Sequence, residues 1–259
     1  MKKAFLTAAV AAVALGANAQ QTRYGFELGA HFGNLVQELP DPTNPGGTTT
    51  LSKDHIDGRP NIGLRAGLVA DFGLSDNFSI QPGLFFVMKG VRNEIEVSSE
   101  ASGVTTRFES QNKLNLNYIE VPLNIQYKTR EDGTGFFVGA GPYFGYAISG
   151  KTNSQSTFEQ TGGGSSIKLE TDEDRDLEFG DNATDDYKNL DVGVGLNIGY
   201  MLPMGAFVRG YGQYSFSNII PVPESKYETK NYGFGITVGY MFGGKRGTSA
   251  NDDPTSTTD

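Results

Sequence analysis

Lys230-Asn231-Tyr232-Gly233-Phe234-Gly235-Ile236-Thr237-Val238-Gly239-Tyr240-Met241-Phe242 decides the reading of this chain. Tyr232, Phe234, Ile236, Val238, Tyr240 and Phe242 share one parity, and Gly233, Gly235, Thr237, Gly239 and Met241 the other. Side chains alternate across a β-strand, so one face is apolar with aromatic ends and the other is small. A soluble sandwich buries large apolar residues and wets a charged face. Large residues opposite glycines instead mark a strand with lipid outside and a crowded barrel interior within.

Working back along the chain, residues 24–33, 61–74, 78–89, 114–127, 136–148, 190–200 and 206–216 repeat the alternation. In residues 114–127, Ile119, Val121, Leu123, Ile125 and Tyr127 hold one parity while Leu114, Leu116 and Tyr118 hold the other. The phase therefore slips near Tyr118, and a β-bulge is expected there. Connections 75–77, 129–135 and 201–205 have the length and Gly, Asp and Asn content of tight turns. Connections 34–60, 90–113, 149–189 and 217–229 are long. This alternation predicts an all-β fold: an eight-stranded antiparallel up-and-down transmembrane β-barrel, with short periplasmic turns, four long extracellular loops and both termini periplasmic. Two aromatic girdles are expected, one including Tyr24, Phe78, Tyr127, Phe136, Tyr200 and Phe242, the other including Phe32, Phe86, Tyr146 and Phe216.

The ends fit the same placement. Lys2 and Lys3, an apolar run over 4–15 and Ala17-Asn18-Ala19 read as a cleaved signal peptide over 1–19. The barrel domain then covers 20–242, and the polar stretch 243–259 is expected to be a disordered tail. Without cysteine the chain has neither a disulfide nor a thiolate metal site, and no cofactor is expected. Loss of the signal lysines moves the net charge from −9 to −11. So acidic a chain is not built for nucleic acid, whose phosphates need basic clusters.

Leu116-Asn117-Tyr118-Ile119-Glu120-Val121-Pro122-Leu123, Gly139-Ala140-Gly141-Pro142-Tyr143, Asp191-Val192-Gly193-Val194-Gly195 and the closing strand carry a likeness. Together they resemble the outer-membrane β-barrel domain family typified by PorT of Bacteroidetes, over roughly residues 21–242. The resemblance implies a barrel of OmpA and OmpX build, with no shared catalytic residues to carry over. It also implies delivery by the barrel-assembly machinery through the last strand. The chain departs from the family in extending beyond its final aromatic.

If the aliphatic faces meet lipid, Glu27, His31, Arg65, Asp71, Lys89, Glu120, Asp191 and Arg209 point inward, with Gln81, Asn124, Gln126, Asn197 and Gln213. A lumen only as wide as its side chains requires such charges to pair. Glu120 with Arg209 is the expected central pair, and Arg65 is free to join either acid. His31 near Glu27 raises an acid–base site of a lipid-modifying enzyme, yet no hydroxyl is marked as its nucleophile. The segment 149–189 holds ten acidic and four basic residues. Within it Asp172, Asp174, Asp176 and Asp181 are weak Ca²⁺ candidates without the regular ligand spacing of an EF-hand. The expected task is structural or surface-interacting rather than catalytic. A small-solute or ligand-binding channel and a lipid-modifying enzyme are the alternatives. Outer-membrane lipid and lipopolysaccharide are the expected partners, and the barrel is expected to be monomeric.

Overall fold

A computed structural model of the chain describes residues 22–38, 57–101, 103–162, 165–222 and 228–243. The expected signal peptide and the tail beyond Gly243 lie outside the described residues. Nine strands are present among them: β1 (Thr22–Glu38), β2 (Asp57–Gly73), β3 (Phe78–Ala101), β4 (Val104–Lys128), β5 (Gly135–Gly162), β6 (Ser165–Asp176), β7 (Leu190–Met201), β8 (Ala206–Ser215) and β9 (Glu228–Phe242). Each neighbouring pair is antiparallel, β4 continues onto β5, and β1 pairs with both β2 and β9. Eight strands thus close into a ring, with β6 outside it. Closure leaves no barrel edge, so the backbone groups of the wall are satisfied within it.

The wall follows the alternation. On β9, Phe234, Ile236 and Val238 are exposed outward while Thr237 and Met241 are buried inward. Leu68, Ile125, Leu196 and Ile198 continue the apolar exterior on other strands. Such a continuous apolar belt is tolerated in lipid and not in water. At the short-turn end the aromatics meet as neighbours: Phe78 lies 5.2 Å from Tyr127, and Phe136 4.9 Å from Tyr200, between ring centroids. Inside, Gly233 gives His31 its room, since a Cβ there would come within 2.6 Å of His31 Cε1.

Two apolar clusters fill the lumen around its charged side chains. At the short-turn end Phe137, Met201, Phe207 and Met241 cluster with Val69, Phe85 and Val87. At the other end Val91, Leu114, Leu116, Tyr118 and Ala147 are capped by Leu177 and Ile219 from the connections after β6 and β8. Burying a Leu or Ile side chain is worth about 1.5–3 kcal/mol, so these connections are held down on the mouth. Backbone bonds from Leu177 N to Gly150 O (3.0 Å) and from Lys188 N to Ile219 O (2.8 Å) fix them.

Two expectations change. First, β4 does not slip: Leu114, Leu116, Tyr118, Glu120, Asn124, Gln126 and Lys128 all face inward in unbroken alternation. The slip lies in the facing strand β5, where the register shifts opposite Asn117 and Tyr118 and the successive residues Ile148 and Ser149 are both exposed. Leu114, Leu116 and Tyr118 looked lipid-facing because a lumen was assumed polar throughout, whereas its upper end is the apolar cap.

Second, the connections 90–113 and 149–189 are largely strand. β3 and β4 run past the ring as a ribbon up to the Ala101↔Val104 pair, and β5 leaves β7 above Tyr146 to pair with β6 from Lys151 to Gly162. A four-stranded sheet, β3-β4-β5-β6, therefore projects from the barrel.

Because the chain has no native cysteine, single introduced thiols report parity. Ile119→Cys is expected to react with a membrane-soluble maleimide in folded protein, and Leu116→Cys to react at least ten-fold more slowly. Equal labelling would restore the bulge to β4.

Candidate functional site

The chemistry of this molecule is concentrated in the lumen. Small and large residues alternate there: Gly25, Glu27, Gly29 and His31 on β1 face Thr237 and the glycines of β9. Long charged side chains from β2, β3, β4, β7 and β8 cross the space that the glycines leave. All eight predicted polar residues are buried: Glu27, His31, Arg65, Asp71, Lys89, Glu120, Asp191 and Arg209.

Glu120 is the hub. Arg65 Nη1 donates to its Oε1 at 2.7 Å and Gln213 Nε2 to the same oxygen at 2.6 Å. Lys89 Nζ lies 3.1 Å from Oε2 and 2.9 Å from Asp191 Oδ2. Charges therefore alternate along Arg65–Glu120–Lys89–Asp191. Asp191 also accepts from Asn231 Nδ2 at 3.1 Å and from the Ser215 hydroxyl. Aromatic faces cover the cations: Arg65 lies 3.9 Å from the Phe85 ring centre, and Lys89 4.4 Å from that of Tyr143.

A second cluster sits nearer the short-turn end. Arg209 Nη1 is 2.9 Å from Glu27 Oε2, and its Nη2 donates to Gln81 Oε1 at 2.6 Å. Thr237 donates to Glu27 Oε1 at 2.8 Å, and Gln126 links Gln81 to Asn197. Arg209 thus pairs with Glu27, and the expected Glu120–Arg209 pair does not form. Both residues are mid-strand, but strands in a tilted barrel are staggered. The residue of β8 that reaches Glu120 is Gln213, four positions beyond Arg209.

At the short-turn rim Asp71 is held by Lys128 and by Arg23, whose Nη2 lies 2.9 Å away. Sequence reasoning missed both cations. Lys128 continues the inward parity of Asn124 and Gln126 by one step, and that signal was available. With it the lumen balances four acids against four bases, Arg65, Lys89, Lys128 and Arg209.

The other candidates do not come together. His31 Nδ1 meets the Tyr211 hydroxyl at 2.9 Å, while Glu27 is occupied by Arg209 and Thr237. Both are buried under 3 % exposed, out of reach of a substrate. Asp172, Asp174 and Asp176 alternate along one face of β6, and Asp181 lies beyond that strand. Among the described residues no group of three carboxylate or histidine side chains is placed to hold a metal. Asp174 is engaged by Lys151 Nζ at 2.6 Å and by Asn153, contacts that hold its carboxyl below the usual carboxylate range. Asp186 is held low in the same way by Arg175, which donates to both its oxygens at 2.9 and 2.8 Å.

A closed ring with an apolar exterior and a charge-filled lumen defines an integral membrane β-barrel. Residues 18–221 match the family described as Outer membrane protein beta-barrel domain. The chain belongs to that family and is an outer-membrane protein. Its structure is similar to Ail, the attachment invasion locus protein of Yersinia pestis (10 % identity, 86 % of this chain and 100 % of that one, TM-score 0.32). It is also similar to Neisserial surface protein A (10 %, 85 % and 97 %, 0.36) and to OprG from Pseudomonas aeruginosa (14 %, 86 % and 94 %, 0.30). No curated protein sequence matches it.

Glu120→Ala leaves Arg65 and Lys89 facing each other without their shared anion, and is expected to destabilise the barrel by about 3–5 kcal/mol. In urea titrations from lipid vesicles, Glu120→Ala combined with Arg65→Ala should recover part of that loss. Glu120→Ala with Arg209→Ala should be additive within about 0.5 kcal/mol. Additivity in the first pair, or coupling in the second, contradicts the network.

Proposed function

We propose that this protein is a sealed outer-membrane anchor that carries the β3-β4-β5-β6 sheet outside the cell as an interaction surface. The observation that supports the reading is the combination of a lumen filled with side chains and a sheet held clear of it. Solute passage would require displacing two apolar clusters and the Arg65–Glu120–Lys89–Asp191 chain that interleaves with them. Lipid chemistry would need a general base that substrate can reach, and His31 is enclosed.

The sheet has the features of a recognition element. One face carries a cross-strand apolar ladder, Val97 opposite Phe108, Phe108 opposite Phe158 and Phe158 opposite Leu169. Val97, Phe108 and Leu169 are exposed. The other face is charged, with Arg107 bridging Glu96 and Glu109 at 2.7 and 2.6 Å. Among the described residues β6 pairs only with β5, so its outer edge is open to an added strand. Carboxylates along β6 disfavour a second copy of itself, because like charges directly opposite destabilise a pair.

The long-strand end is assigned to the cell exterior because outer-membrane barrels keep short turns toward the periplasm and long connections outside. Both termini then lie in the periplasm. An epitope inserted between Gly163 and Gly164, in the sequence between β5 and β6, is expected to bind antibody on intact cells. Labelling that appears only after the outer membrane is permeabilised would reverse the orientation and remove the reading.

A further inference from the structure

The outward face of the projecting sheet gathers cations on β2, β3 and β4. Antiparallel register sets Arg59 opposite Arg92 and Arg92 opposite Lys113, so three cations stand side by side across β2, β3 and β4. Lys151 of β5 stands one row nearer the ring, opposite Asn115. The row beyond the cations runs Glu94, Gln111, Gln155, Asp172, and the next runs Glu96, Glu109, Thr157, Glu170. On β2, β3 and β4 basic residues thus collect where the sheet leaves the barrel, with Glu94, Glu96 and Glu109 farther out, whereas on β6 the same inner rows end in Asp174 and Asp176, and Arg107 and Lys168 stand in the row beyond.

This arrangement works against the sheet unless something anionic lies on it. Directly opposed like charges are destabilising. One carboxylate, Glu94, serves both guanidinium groups, at 2.9 Å from Arg59 and 2.6 Å from Arg92. Lys113 is exposed and has no ion pair among the described residues. The Arg59 and Arg92 side chains keep 64 % and 44 % of their surface open. Three positive charges therefore face outward against a single negative one.

Their height fits the headgroup layer. Met88 is the last outward apolar residue of β3, and Arg92 shares its parity four residues on. At ~3.3 Å per residue on a strand tilted by ~45°, Arg92 stands roughly 9 Å above Met88. Long basic side chains bend back toward the membrane over such distances. Guanidinium forks bind phosphate bidentately, and a neighbouring ammonium adds a point charge.

We propose that Arg59, Arg92 and Lys113 form a lipid site on the outer wall of β2, β3 and β4 that takes the phosphate groups of a phosphorylated glycolipid headgroup. Its acyl chains lie along the apolar band, and the acidic rows above exclude a second anion. The site deepens the outward assignment of this end but does not depend on which protein partner the sheet meets.

The test uses the full chain purified in non-ionic detergent, so cellular orientation does not enter. Native mass spectrometry is run with bisphosphorylated lipid A, with enzymatically dephosphorylated lipid A, and with pyrophosphate as competitor. Wild type is expected to retain the phosphorylated lipid at least ten-fold better than an R59Q/R92Q/K113Q variant whose heat-modifiable migration is unchanged. Both proteins should bind the dephosphorylated lipid equally weakly. Should the triple variant misfold, Lys113→Gln alone, which breaks no ion pair among the described residues, should lose about three-fold. Undiminished retention in the variants, or wild-type binding of the dephosphorylated lipid as tight as that of the phosphorylated one, overturns the site. Full displacement by equimolar pyrophosphate overturns the lipid assignment in favour of a free-anion site.

Discussion

A ring of eight β-strands in lipid encloses a space only as wide as the side chains that fill it, and the rest of this structure answers to that width. Hydrocarbon offers the wall's backbone no water, so the ring has to close, as β1 does by pairing with β9. Once it is closed, every charge inside must find its counter-charge inside. Glu120 meets that requirement most fully, joining Arg65 to Lys89 and through Lys89 to Asp191. Residues from β2, β3, β4 and β7 are thereby tied across the lumen, so the polar interior braces the wall as well as filling it.

The same width explains where the chain departs from a plain cylinder. Beside and above Lys89 the lumen is filled with apolar side chains, to which Ile219 and Leu177 contribute from the connections. At that level β5 inserts an extra residue around Ile148 and exchanges β7 for β6 as its neighbour. The bulge lets one wall of the barrel continue outward as a sheet while the opposite wall ends in short strands and a cap. The barrel wall and the projecting sheet are thus built from different lengths of the same strands β3, β4 and β5.

Much of this was legible in the sequence, because a period of two runs along the strands, broken in β5 at Ile148, and the lipid side is uniform. The Lys230–Phe242 stretch alone gave the direction of each face. Connection lengths gave the topology, and inward parity gave the eight predicted polar residues of the lumen but not Lys128. Pair identity was not legible: Arg209 and Glu120 are both central in their strands, but stagger between strands decides which residues share a height. The apolar cap was hidden for a related reason. Leu114, Leu116 and Tyr118 carry a lipid-facing composition, yet they share the inward parity of Glu120, and Leu177 and Ile219, far away in sequence, cover them. The projecting sheet was missed because its strands are polar enough to read as loop, and Thr, Ser and Gln there pair across strands rather than bury a core.

Planar-bilayer recording of the purified protein tests the sealed lumen most directly. Apolar clusters interleaved with a neutralised charge network predict no resolvable unitary steps in 1 M KCl at moderate voltage. Stable, ion-selective steps from correctly folded wild-type protein would contradict the account, because they would require a water-filled path where Glu120, Arg65 and Lys89 are shown in contact.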